Sequence, residues 1–246
     1  MPIRRLLFPY FAVYAIDAPG QAAGEAEMAA DAPYPEFGEL VEQVGAVMDA
    51  FGVESAVLMG VGAGGTVLTH FALSAAHRVK GLVVIGATHK APGWLEWAYS
   101  HASQFWLSWW GVDGYVKDQL MQRYFTWREE ADEGGLMRLT YQEALANVKA
   151  TNLWKFIASY MARPPLDDAA LASLTTPVIF FVGRDSYYYD DVVDFFGAFN
   201  SESASWVPVW GAGNMVHMEM PQELVTPLRL FFYRCGHVAF GLAPKE

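Results

Sequence analysis

Apolar residues recur at Phe37, Leu40, Val41, Val44, Met48 and Phe51, the three-and-four spacing of a helix with one face in a core. The pattern predicts that this helix ends near Gly52. Four short apolar runs follow, Ala56 to Met59, Gly81 to Ile85, Pro177 to Val182 and Ser205 to Trp210. Each has the length and continuity of a strand covered on both faces. Phe11 to Ile16 reads as one more strand. Thr66 to Ala76, Asp190 to Phe199 and Pro221 to Tyr233 carry helical patterns, and this alternation predicts an α/β fold with a mostly parallel sheet flanked by helices. Residues 88–174 are too long for a connection and too helical for a loop, so they are expected to form a helical cap inserted into one domain spanning 1–246. The acidic stretch Ala23 to Ala32, within the loop from Ala18 to Pro35, is expected to be solvated. No internal repeat, low-complexity segment or linker interrupts the chain.

One junction carries chemical information. From Ser55 to Phe71 the chain reads SAVLMG-VGAGG-TVLTHF, a buried strand, a tight glycine turn and a helix. Serine enzymes of the α/β-hydrolase fold place their nucleophile at the centre of a G-x-S-x-G turn at this junction. Here the turn is Gly60-Val61-Gly62-Ala63-Gly64, and Gly62 offers no nucleophile and no group for a base to activate. The elbow glycines are expected to be needed for geometry, so that valine at Gly64 or Gly65 clashes with the helix start. Gly60, Gly62 and Gly65 also spell G-x-G-x-x-G, the dinucleotide fingerprint. That alternative needs an acid roughly 20 positions further on, whereas the first acid after the turn is Glu96.

Chain order in the hydrolase fold runs nucleophile, acid, histidine. The acid position follows the strand Pro177 to Val182, where the turn reads Gly183-Arg184-Asp185-Ser186. A G-x-x-D turn would put the acid at Ser186, with Asp185 one place early. After the last strand the loop reads GAGNMVHMEMP, with Asn214 at the histidine position and His217 three residues later. Gly62, Ser186 and Asn214 thus occupy the three positions without supplying nucleophile, acid or base. The loop that contributes an oxyanion donor in this fold is expected upstream of Met1.

These residues, with others, resemble the N-myc downstream-regulated (NDR) family, non-catalytic relatives of the α/β-hydrolases. The segment from Phe11-Ala12-Val13 to Asp17-Ala18-Pro19-Gly20-Gln21 is similar to the family's strand and following loop. Tyr34-Pro35 resembles its helix start, and GVGAGG with THFAL its serine-free elbow. Gly81-Leu82-Val83, then Gly93-Trp94-Leu95-Glu96-Trp97-Ala98, resembles a strand and the opening of the cap. Asn152-Leu153 through Tyr160 resembles a cap helix. The resemblance implies an α/β-hydrolase fold without catalysis and a role in stress response, differentiation or signalling. It also implies that the first three strands are missing here, leaving a gap between Phe11 to Ile16 and Ala56 to Met59. Either the chain is a fragment or another segment fills that gap, because unpaired buried backbone is rarely tolerated.

Composition narrows the partners. The chain has 246 residues, 53% of them hydrophobic, and a net charge of −11. That charge argues against nucleic acid and weakens attraction to anionic membranes. No run is long enough to span a bilayer, and Pro9 interrupts the apolar run after Arg4 and Arg5, which favours a strand over a signal peptide. A single cysteine, Cys235, excludes an internal disulfide and fits a reducing compartment, the cytoplasm or an organelle. It reads as a packed small residue.

No cofactor, metal cluster or small-molecule ligand is called for. The cap is rich in rings, among them Trp94, Trp97, Trp106, Trp109 and Trp110. They read as packing against the sheet, as an exposed surface for a protein partner, or as walls of a pocket that Tyr187-Tyr188-Tyr189 would line or plug. His70 reads as packed, His77 and His101 as surface residues, and His217 with Asp185 as a possible hydrogen-bonded pair. The expected function is protein–protein interaction as a signalling or stress adaptor. Two alternatives remain: an accessory subunit of a larger assembly, whose partner fills the gap, and a hydrolase with displaced catalytic residues.

Overall fold

Four of the apolar runs pair into one parallel sheet. The computed structural model describes residues 7–90, 125, 141, 143 and 147–237. Among them the strands are β1 (Ala56–Val61), β2 (Val79–Ile85), β3 (Val178–Gly183) and β4 (Ala204–Val209), in the spatial order β1-β2-β3-β4. All neighbouring pairs are parallel. The helices are α1 (Phe37–Ala50), α2 (Ala63–Ser74), α3 (Ala150–Met161), α4 (Asp168–Ser173), α5 (Tyr189–Gly197), α6 (Val216–Glu219) and α7 (Pro221–Arg234).

The period of two along the strands divides the core into two layers. Leu82 and Val84 of β2, with Val178, Phe180 and Val182 of β3, face a cluster completed by Val44 and Met48 of α1, Phe71 of α2 and Phe195 of α5. Val83, Ile85, Ile179 and Phe181 face the other side, against Leu224, Leu228, Phe231 and Phe232 of α7. A parallel sheet needs both faces covered, and here helices cover both. α1 begins where the Glu36 amide donates to Glu39 Oε2 at 2.8 Å, and it buries Phe37, Leu40, Val44 and Met48. Gly52 at φ +64° turns the chain out of that helix.

Two expectations need correction. Helix α2 starts at Ala63, not Thr66, because it begins directly at the elbow. The segment Phe11 to Ile16 is not a strand: it is irregular, and among the described residues the backbone of residues 12–17 makes no backbone hydrogen bond. A strand is stabilised by its neighbours, and no neighbour is paired with this segment. β1 is therefore an edge strand among the described residues. The Gly62 amide donates to Ile85 O at 2.8 Å, so alternation turns the amides and carbonyls of Val57, Met59 and Val61 towards the open edge.

The acidic stretch Ala23 to Ala32 is largely exposed, as expected of a solvated loop. Half of the residues from Ala18 to Pro35 are exposed, yet the backbone of this loop is clasped by α3. Asn152 is fully buried; its Nδ2 donates to Gly20 O at 2.9 Å and Ala26 O at 3.0 Å, and its Oδ1 accepts from the Met28 amide at 2.8 Å. Gln21 Nε2 donates to Asn152 O at 2.8 Å. Lys155 Nζ donates to Ala30 O at 2.9 Å and Ala32 O at 2.6 Å, and the Tyr34 hydroxyl donates to Pro19 O at 3.0 Å. Burial pushes the pKa of that hydroxyl up to about 12.

Candidate functional site

The elbow is built from backbone. Gly62 has φ +52° and ψ −120°, a conformation that strains any residue with a Cβ. A Cβ at Gly62 would meet nothing within 4 Å, so the position opens into free space. Its neighbours serve close packing instead: a Cβ on Gly65 would lie 2.8 Å from Ala87 Cβ, and one on Gly60 only 2.5 Å from Gly65 N. Gly64 meets nothing within 4 Å. The expected clash therefore applies to Gly65 and not to Gly64, whose Cβ would point outwards.

Ser186 and Asn214 come together above the carboxyl ends of the strands. Ser186 Oγ donates to Asn214 Oδ1 at 3.2 Å and accepts from the Tyr188 amide at 3.1 Å. Asn214 Nδ2 donates to Gly86 O at 3.2 Å, in the turn after β2. Asn214 is 1% exposed. The side-chain polar atoms of the pair are thus committed to a neutral hydrogen-bonded chain, which has no basic nitrogen for accepting a proton from a nucleophile.

His217 stands apart from this chain. It lies on α6, its Nδ1 is sealed from solvent without a partner, and burial pushes its pKa down to about 4. The residue as a whole is half-buried, but the sealed nitrogen governs the cost of protonation. Asp185 is exposed and makes no ion pair with His217 among the described residues. The anticipated His217–Asp185 pair does not form there.

Beside the elbow the space is filled with apolar side chains. Phe125 and Met215 are both buried, with Val61, Tyr141 and Met218 packed against them. The Phe125 and Tyr141 rings meet edge to face at 5.4 Å. The three consecutive tyrosines do not make this plug. Tyr187 is 69% exposed, while Tyr188 and Tyr189 pack on the sheet core. Arg184 lies 4.6 Å over the Tyr189 ring and 4.8 Å over Trp210.

His70 packs edge-on against Phe37 at 4.9 Å, and burial followed by the charge of Arg163 lowers its pKa. His77 is exposed. Burial likewise raises the Cys235 thiol to about 11, where it packs beside Gly81. Trp94, Trp97, Trp106, Trp109, Trp110 and His101 lie outside the described residues. Among the described residues no His, Cys, Asp and Glu group has metal-binding geometry, and no helix is long and apolar enough to cross a membrane.

Sequence reasoning missed both the plug and the Asn152 clasp. The clasp left a trace: the DAPGQ loop and the helix beginning near Asn152, separate pieces of the resemblance, bond directly to each other. A groove of about 600 Å³ opens between Tyr34 to Gly38 and α3, lined by Trp154, Ala158 and Ser159 among others, and it includes no elbow residue.

Comparison with known proteins follows the same lines. The profile described as Ndr family matches residues 4–239. An NDRG-like protein of Dictyostelium discoideum is 28% identical over 230 residues, covering 94% of this chain and 70% of that protein. Protein NDL3 of Arabidopsis thaliana is 31% identical over 242 residues, covering 95% and 70%. Protein NDRG1 of Xenopus tropicalis is 27% identical, and the match spans 58% of its length. Among solved structures, a thermophilic esterase from Thermogutta terrifontis superposes with TM-score 0.72 at 14% identity, over 82% of this chain and 73% of that one. MenH from S. aureus superposes with TM-score 0.71 at 15% identity, over 90% and 83%. At such identities these two structures speak for the α/β-hydrolase fold alone.

Proposed function

Because the chain belongs to the Ndr family, we propose that it is a non-catalytic α/β-hydrolase-fold protein that acts through protein–protein interaction, as a signalling or stress adaptor. The single observation that carries this reading is the Gly62 elbow: its backbone has the strained turn of a nucleophile position, and it has no side chain to react. The neutral Ser186–Asn214 chain supports it, because it lacks a base. The aromatic cap, including Trp94, Trp97, Trp106, Trp109 and Trp110, is the proposed partner surface.

The test is direct. Purified protein is expected to turn over activated esters no faster than a heat-denatured control and to take up no serine-directed fluorophosphonate. Stoichiometric labelling of one residue overturns the reading. Gly62→Ser is expected to restore little activity, since members of a triad act as a unit and removing one costs on the order of a million-fold in turnover.

A further inference from the structure

The groove beside α3 combines aromatic rings with a surplus of negative charge. Tyr34, Phe37 and Trp154 line it, and at about 600 Å³ it has the volume of a site for a small molecule. Phe37 is 4% exposed and packs edge-on against His70, which holds it in place. The Tyr34 hydroxyl, bonded to Pro19 O at 3.0 Å, anchors the second ring. Trp154 is half-buried, yet among the described residues it has no ring contact or hydrogen bond and joins no hydrophobic cluster. An indole so placed leaves a large ring surface for a ligand to cover.

Charge decides which ligand these rings suit. Among the described residues, the ionised groups lining the groove are Glu36 and Lys155. Lys155 is 5% exposed and its ammonium is spent on Ala30 O and Ala32 O, whereas Glu36 is exposed. The start of α1 would otherwise attract an anion, but two carboxylates close it: Glu36 accepts from the Glu39 amide, and Glu39 Oε2 accepts from the Glu36 amide. Asp31, between the two carbonyls that Lys155 holds, is exposed as well. Three carboxylates therefore stand here against one buried ammonium. Arg163 does not line the groove; it is buried and donates to Tyr160 O and Lys90 O.

We propose that this groove binds a small organic cation, a quaternary or alkylated ammonium compound, which the rings of Tyr34 and Trp154 contact and the Glu36 carboxylate attracts. A cation is drawn to the face of an aromatic ring, most strongly to tryptophan. An anion would meet like charge at the groove, and a neutral apolar molecule would gain nothing from the carboxylates beside it. A free solute suits the site better than a lipid headgroup, because the groove has room for a whole small molecule and a chain of net charge −11 is not drawn to an anionic bilayer. No elbow residue takes part, so the inference goes beyond the reading of the protein as non-catalytic. Ester turnover tests that reading, and cation binding tests this one.

The experiment is isothermal titration of the 246-residue chain with choline and with its neutral isostere, in which a quaternary carbon replaces the nitrogen. Choline is expected to bind once per chain, and the isostere about tenfold more weakly or less, the difference a desolvated cation on a ring supplies. Trp154→Leu keeps apolar bulk and is expected to weaken choline binding about tenfold. Glu36→Gln keeps an oxygen for the start of α1 and is expected to weaken it about two- to fivefold at an unchanged melting temperature, which supplies the answer if the tryptophan variant does not fold. Equal affinity for choline and the isostere would make the site merely apolar and overturn the proposal. Full affinity in both variants would place the ligand elsewhere and also overturn it. So would the absence of choline binding, or binding of inorganic phosphate in its place. Sedimentation of the protein with phosphatidylcholine vesicles would assign the rings to a lipid headgroup and overturn the soluble ligand.

Discussion

A carboxamide at position 214 donates and accepts at once and carries no titrating proton. The Ser186–Asn214 hydrogen bond therefore keeps its form through the pH range in which a histidine there would change charge. His217 behaves in the opposite way. Its pKa of about 4 in the folded protein lies below the unfolded value of 6.5, so the unfolded chain binds a proton that the folded one refuses. Stability contributed by the neutral ring is complete above pH 6.5 and is lost as pH falls towards 4, by about 3 kcal/mol in total. Urea unfolding at a series of pH values should show this slope in the native protein and a flatter one in His217→Gln. At the elbow, Gly65→Val is expected to destabilise by roughly 1 to 3 kcal/mol, because its Cβ meets Ala87. Gly64→Val, pointing into open space, is expected to cost less, chiefly through the helix propensity difference. Melting temperatures of the two variants decide the matter, and equal shifts would contradict this placement of the turn.

Among the elements, those whose pattern reflects burial on the sheet were legible from sequence. β2 and β3 are continuous apolar runs because helices cover both faces, and α1 follows its three-and-four spacing until Phe51, which is 61% exposed. Phe11 to Ile16 misled because its residues suit a strand, while strand formation depends on a partner that composition does not reveal. Ser186 and Asn214 could be located by chain order, since turns after strands hold fixed positions in this fold. The plug could not, because Phe125 and Tyr141 reach Met215 from distant sequence. Nor could the clasp, since one buried asparagine looks like any other polar helical residue. Asn152→Leu is expected to leave two carbonyls and an amide of the Ala18 to Pro35 loop without partners, at about 1 to 3 kcal/mol for each group left buried. A lowered melting temperature with faster proteolysis between Ala22 and Ala32 would report the loop's release, and an unchanged cleavage rate would remove the clasp's role.

For the whole molecule the question is where a partner acts. Truncating Trp106 or Trp109 to Ala is expected to weaken partner binding by about 2 kcal/mol or more without lowering the melting temperature, as for a hot-spot ring on a surface. A stability loss of roughly 3 to 5 kcal/mol instead would mean that the ring fills core space. Both readouts are needed, because net charge and fold are the same in either case. The Asn152 clasp has a consequence in time rather than in space. Gln21 and Asn152 are 131 residues apart in the chain, and at about 5 to 20 residues per second of synthesis the loop after Gly20 is made roughly 7 to 26 s before the side chain that will hold it. During that interval the loop lacks the side chain that will clasp its backbone, so whatever guards nascent chains from premature contacts has this stretch to shield until α3 emerges.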